Sequence, residues 1–209
     1  MKILAVSDRE FASIYNSRAA ERFGHNDLVL SCGDLPIYYL EYMISTLNLP
    51  LYYVHGNHWV DGRAESQAAQ NEPWGGSDLH RKVLHDRNLD LLIAGIEGSL
   101  PYSRGPRQYS QLRMWLFVLG LVPRLLYNRL AYGRYLDIFV SHAPPAGIHD
   151  DDDPAHRGIH AFRWLLRVFK PRLHLHGHVH IYMPMQPRES RFHATRVVNA
   201  YGYYEIELD

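Results

Sequence analysis

Five short pieces of this chain carry side chains that bind divalent metal: Asp8, Gly33-Asp34, Gly56-Asn57-His58, Ser141-His142-Ala143-Pro144 and Gly177-His178-Val179-His180. Each follows a run that reads as a buried strand, so each is expected on a loop at a strand's end. Collected on one face, they offer metal three imidazoles, two carboxylates and an amide oxygen, with His58 left over. That inventory suffices for two divalent ions, and Asp34 is the carboxylate expected to bridge them. Gly33, Gly56 and Gly177, which open three of these pieces, let backbone approach the site closely. The chemistry this points to is hydrolysis of a phosphate ester. A water shared by the ions loses a proton easily and becomes the nucleophile, while the metals neutralise the phosphoryl oxygens. His58, beside Asn57, is placed to stabilise the transition state or to protonate the leaving oxygen.

The elements that must position these residues can be read from apolar runs. Ile3–Val6, Leu28–Ser31, Leu51–Val54, Leu91–Ala94, Leu136–Val140 and Leu173–His176 are short and rich in Leu, Ile and Val, as strands covered on both faces are. Phe11–Phe23 and Ile37–Leu47 read as helices between the first three. That β-α-β-α-β order predicts a parallel sheet wrapped by helices. Ligands in such sheets bind beyond the carboxyl ends of the strands, where every metal-type piece falls. Arg191–Val198 and Tyr203–Leu208 read as antiparallel strands closing a second sheet. No repeat or linker divides residues 1–209, which are expected to form a single domain.

Composition narrows the function classes. The 209 residues carry 22 acidic and 22 basic side chains, so no global charge argues for nucleic acid. No basic stripe with interleaved aromatics is present, which argues against a polymeric nucleic acid substrate. Histidine is abundant, 14 in all, although placement rather than number decides its role. The single cysteine, Cys32, cannot form an internal disulfide, and the N-terminus reaches Asp8 too soon for a signal peptide. A cytoplasmic protein is the expectation.

Two segments exceed a minimal core. A helical apolar insertion is expected at about 108–132, holding the apolar run Met114–Val122, then Pro123, with arginines around it. It is too short an apolar run to span a bilayer, which needs about 20 residues. It reads as a buried helix kinked by Pro123, or as an apolar flap, a membrane contact or a homodimer contact through Gln111–Ala131. Asp150–Asp153, four acids in a row, read as a solvated loop near the rim of the site.

The motifs in order resemble the calcineurin-like metallophosphoesterase superfamily, whose signature runs Asp-x-His, Gly-Asp, Gly-Asn-His-Asp/Glu, a lone His, then Gly-His-x-His. The resemblance covers nearly the whole chain. It implies a metallophosphoesterase-type β-sandwich of two mixed sheets flanked by helices (α/β/β/α), with the metals at the carboxyl ends of the strands. By the same resemblance Asp8, Asp34 and His180 would hold the first ion, Asp34, Asn57, His142 and His178 the second, and His58 would be the catalytic histidine.

The chain departs from that pattern twice. Glu10 stands where the family has the histidine of Asp-x-His. As a ligand it would give the first site three oxygens and one nitrogen, favouring Mn²⁺ or Fe over Zn²⁺, with Zn²⁺, Ni²⁺ and Mg²⁺ kept as alternatives. It would also bring the summed charge of ions, carboxylates and hydroxide near zero, predicting a less acidic nucleophilic water and a higher pH optimum. Trp59 replaces the acid that normally follows the catalytic histidine; Asp61 could substitute, or Trp59 could offer an aromatic wall to a flat leaving group. Arg157 is a candidate for the substrate phosphate. His55 and His176 read as residues that orient ligands or as core, His174 as core, and His80, His85 and His193 as loop or surface. The substrate class favoured is a small phosphodiester or nucleotide-like ester. The alternatives are a lipid-linked phosphate met by the apolar 114–126 segment, and a non-catalytic protein-binding scaffold.

Overall fold

The computed structural model describes residues 1–58, 72–182 and 186–208. Its elements run β1 (Lys2–Ser7), α1 (Ala19–Phe23), β2 (Leu28–Ser31), α2 (Ile37–Leu47), β3 (Leu51–Tyr53), β4 (Gly76–Asp78), β5 (Lys82–Asp86) and β6 (Leu91–Ile96). They continue with α3 (Gln111–Tyr132), β7 (Ile138–Ser141), α4 (His160–Phe169), β8 (Leu173–His176), β9 (Glu189–Phe192), β10 (Thr195–Asn199) and β11 (Gly202–Glu207). One sheet has the strand order β11-β1-β2-β3-β4 and the other β5-β6-β7-β8-β10-β9. Both are mixed. β1, β2, β3 and β4 are parallel with β11 antiparallel at one edge; β6, β7, β8 and β10 are parallel with β5 and β9 antiparallel at the two edges.

Alternation along each strand builds a four-layer sandwich. On β1, Ile3 and Ala5 face the inter-sheet core with Leu28, Leu30, Ile93, Val140 and Leu175. Leu4 and Val6 point the other way, against Phe23 of α1 and Tyr39, Leu40 and Met43 of α2. On the second sheet, Leu92, Ala94, Phe139 and Val197 pack under α3 and α4. Because side chains of a strand alternate between faces, strands buried on both sides need apolar residues at every position, and that is what made them legible.

Several elements differ from the sequence reading. The helix expected over Phe11–Phe23 is confined to Ala19–Phe23. The Asn16 side chain donates to the Ala12 carbonyl and accepts from the Arg18 amide, an arrangement that competes with helical bonding. Arg191–Val198 is not one strand but part of a β9–β10 hairpin that turns at His193 and Ala194. The short strands β4 and β5 were not anticipated. His85, read as loop or surface, lies in β5 and bonds Asp90, while His80 is partly buried and its Nδ1 accepts from the Glu97 amide.

α3 runs unbroken through Pro123 for 22 residues. The 114–126 stretch is not a continuous apolar element. Met114, Phe117, Val118, Leu121 and Leu125 are core, whereas Leu116, Leu119 and Leu126 are exposed and Arg124 interrupts them. Among the described residues no helix is long and apolar enough to cross a membrane.

Candidate metal centre

β1, β2, β3, β7 and β8 end at one edge of the sandwich, and the five motifs follow them there. Backbone bonds fasten these ends together: the Asp8 amide donates to the Gly33 carbonyl at 3.1 Å, and the Gly177 amide to the His142 carbonyl at 2.9 Å. Asp8, Asp34 and His178 all have left-handed backbone, with φ of 64°, 54° and 67°. Non-glycine residues are uncommon in that region, and such strain concentrates at functional sites. Gly33, at φ 100°, supplies the turn before Asp34. Gly56 and Gly177 serve differently: a Cβ at Gly56 would meet the Asp34 carboxylate, and one at Gly177 would meet Ser7 and the Asp8 carboxylate.

Asp8, Asp34 and His142 each bring a ligand atom within 4.8 Å of the others. His142 is fully buried; its Nδ1 lies 2.7 Å from the Cys32 carbonyl, which can only accept. Nδ1 is therefore the protonated nitrogen. Nε2 faces Asn57 Oδ1 at 2.9 Å and Asp34 Oδ2 at 3.2 Å. Those oxygens are acceptors, and so is Nε2 in a neutral ring. Three acceptors so close require a positive centre among them: a second proton on His142, or a cation.

In the metal-free protein the proton serves. Burial alone would lower the His142 pKa, but the Asp34 carboxylate outweighs it and the value rises to about 9. Burial likewise pushes Asp34 up, yet His142 and the His58 amide hold it down at about 2. Asp8 is raised, chiefly by burial and against the pull of His142. Its carboxylate accepts from the His178 amide at 3.1 Å.

The other two imidazoles follow the same plan. His178 Nε2 is 2.7 Å from the Ala155 carbonyl, so Nε2 carries the proton and Nδ1 is left bare. Burial and the neighbouring His142 lower its pKa to about 3, keeping the ring neutral. His180 places Nδ1 at 2.7 Å from the Tyr182 hydroxyl and Nε2 at 3.9 Å from Asp8 Oδ1. Metal-binding histidines are commonly oriented in this way, by a partner on the nitrogen that does not ligate. The donor set fits divalent metal.

Tyr102 was missed in the sequence. Its hydroxyl accepts from Asn57 Nδ2 at 2.7 Å and lies 3.0 Å from His58 Nε2, joining the amide to the catalytic candidate. Nothing in the residues around it, Pro101-Tyr102-Ser103, marks it beforehand; the loop after β6 brings it in.

Glu10 is exposed, and its Oε2 accepts from the Tyr38 hydroxyl at 2.6 Å. It is not part of the Asp8, Asp34 and His142 group. Arg157 is exposed, two residues beyond the Ala155 carbonyl that holds His178. Trp59 and Asp61 lie outside the described residues. His176 is buried behind the ligands, its Nδ1 on the Gly177 carbonyl and its Nε2 at 3.0 Å from His149. Asp151–Asp153 are exposed, and Asp153 pairs with His156, whose ring lies 5.4 Å from that of His178.

One crystal structure, 17% identical, matches with a TM-score of 0.63 over 98% of this chain and 94% of its own. The crystal structure of TT1561 of Thermus thermophilus, also 17% identical, matches with a TM-score of 0.59 over 96% of this chain and 89% of its own. At such identities the likeness is one of fold. A search among curated proteins finds no match. The family model for calcineurin-like phosphoesterases matches residues 1–182, the stretch that holds all five motifs. The chain belongs to the calcineurin-like phosphoesterase family.

Proposed function

We propose that this chain hydrolyses a small phosphate ester, with a phosphodiester or nucleotide-like substrate favoured, using two divalent ions. The observation that carries the reading is the acceptor-only cluster of His142 Nε2, Asn57 Oδ1 and Asp34 Oδ2, which only a cation or an extra proton can satisfy. Asp8, Glu10, Asp34 and His180 would hold the first ion, and Asp34, Asn57, His142 and His178 the second. Glu10 would complete the first set from two residues beyond Asp8, with the Tyr38 hydroxyl donating to its Oε2. Three oxygens in that set favour Mn²⁺ or Fe. Ions bound there would supply Lewis acidity toward the phosphoryl oxygens and toward a nucleophilic water.

The chain's own residues do the rest. The carbonyls of Cys32 and Ala155 fix the tautomers of His142 and His178. Tyr102 holds the Asn57 amide with its oxygen toward His142. His58 is exposed at the mouth, where it can reach a leaving oxygen, and Tyr102 fixes its Nε2. Since the hydroxyl accepts from Asn57, its own hydrogen is directed at His58 Nε2 and orients the ring. Arg157 at the rim is the candidate for the substrate's phosphate.

The test is turnover of chromogenic phosphomonoesters and phosphodiesters by metal-stripped protein reloaded with Mn²⁺, Fe²⁺, Ni²⁺, Zn²⁺ or Mg²⁺. Asp34→Asn and His58→Ala are run alongside. Metal-dependent turnover lost in both variants is expected, and the diester-to-monoester ratio gives the class. Folded protein that binds metal yet turns over neither ester would favour the scaffold reading instead.

A further inference from the structure

The outer surface of α3 has a composition that neither the core nor the metal centre uses. Leu112, Leu116, Leu119, Pro123, Leu126 and Leu130 follow one another at intervals of four and three residues, which places them on one stripe of a helix. The five leucines are between 47% and 87% exposed. Met114, Phe117, Val118, Leu121 and Leu125 lie on the opposite side, buried against the second sheet. α3 thus has two apolar faces, and among the described residues only one is covered by its own fold. A stripe of this length is large for a monomer's surface.

Charge tells what covers it. α3 contains Arg113, Arg124 and Arg129 and no acid. α4, which packs beside it over the same sheet, contains Arg163 and Arg167, is followed by Lys170, and also has no acid. The run Asp150–Asp153 lies in the loop before α4 rather than on either helix. A second copy of the chain fits this surface badly. Parallel pairing sets each arginine beside its equivalent, and antiparallel pairing about the middle of the stripe sets Arg113 near Arg129. A single acidic helix would answer the stripe on α3 but not the cations of α4. A broad layer of two helices, apolar with basic flanks and no acids, matches a plane of anionic headgroups over acyl chains.

We propose that the α3–α4 face docks on the surface of an anionic lipid bilayer, with α3 lying in the interface. Leu116, Leu119, Leu126 and Leu130 enter the acyl boundary. Arg113 and Arg124, whose guanidinium groups lie over the rings of Phe117 and Tyr127, reach the lipid phosphates. The helix lies on the membrane and does not cross it, in keeping with the arginines and polar positions that interrupt its apolar run.

The proposal is independent of the metal centre, and its test is kept apart from catalysis. Full-length protein is sedimented with vesicles of phosphatidylcholine alone and of phosphatidylcholine mixed with phosphatidylglycerol. Binding to the mixed vesicles is expected, weakened by high salt and much poorer on phosphatidylcholine alone. Arg113→Gln with Arg124→Gln should weaken it about thirtyfold. Leu116→Gln with Leu126→Gln should weaken it at least about tenfold. Both double variants should keep wild-type thermal melts and wild-type turnover of a soluble ester, so a failure of the esterase reading leaves this test standing. No binding to mixed vesicles by folded protein would overturn the proposal. So would equal binding to both vesicle types, or a wild-type dimer that the leucine variant converts to monomer.

Discussion

The Tyr102 hydroxyl lies 3.0 Å from His58 Nε2 while accepting from Asn57 Nδ2 at 2.7 Å. One phenol thereby couples a metal-ligand candidate to the catalytic candidate. Trp59 stands where the family has an acid to steady that histidine, and Tyr102 supplies a fixed partner from another loop. Tyr102→Phe should lower kcat about 10- to 100-fold with little change in KM, the loss typical of a partner that orients ligands. A pH–rate profile should also change in shape, because the phenol touches both a ligand candidate and His58. Unchanged kcat and profile would reduce Tyr102 to packing.

Metal binding should release a proton from His142. Its second proton, held up to about pH 9, occupies the position a cation would take beside Asp34 and Asn57. Apparent metal affinity should therefore rise about tenfold per pH unit toward pH 9 and then level off, as for any one-proton competition. His178, already neutral above about pH 3, adds nothing to that slope. Chelator competition at pH 7, 8 and 9 would measure it, and a flat result would contradict the assignment.

The metal-free protein should be acid-labile. Burial lowers the pKa of His55 and His80 to about 4 and of His176 and His178 to about 3. The unfolded chain binds these protons near pH 6.5 and the folded chain does not, so stability is full above that value and falls as pH drops below it. Each group contributes up to about 1.4 kcal/mol per pH unit in that window. His142 acts in the opposite sense: its contribution is full below pH 6.5 and lost as pH rises through about 9. Denaturant midpoints should peak near neutrality and drop steeply between pH 6.5 and 5, with unchanged m values.

Glu10→His should move the protein toward the usual family site. It exchanges a carboxylate for a neutral nitrogen, so metal preference should shift from Mn²⁺ or Fe²⁺ toward Zn²⁺, and the pH optimum should fall. The hydrogen bond from Tyr38 would be lost with the carboxylate. If neither metal preference nor pH profile moved, Glu10 would belong to the rim and not to the first ion.

Much of this was legible in the chain itself. β2, α2 and β8 have the bounds the apolar runs gave, because strands and helices buried in a four-layer sandwich leave a dense apolar signature. The order of motifs at strand ends was enough to place Asp8, Asp34, Asn57, His142, His178 and His180 at one edge. Asn16 cut short a helix through a local side-chain bond, and β4 and β5 lack the apolar density that marked the others. The outer and inner leucines of α3 differ by one or two positions, so the stretch 114–126 read as one apolar run until its two faces were separated.

Sequence alone determined which atoms could bind metal, since ligand chemistry belongs to residue type and the motifs carry it locally. Tertiary structure decided which nitrogen of His142 and of His178 faces the site, because that choice rests on the carbonyls of Cys32 and Ala155. Cys32 is separated from His142 by 110 positions, and Tyr102 from His58 by 44. Contacts at such separations leave no periodic trace in a chain; they exist only once the strand ends have been brought to one edge.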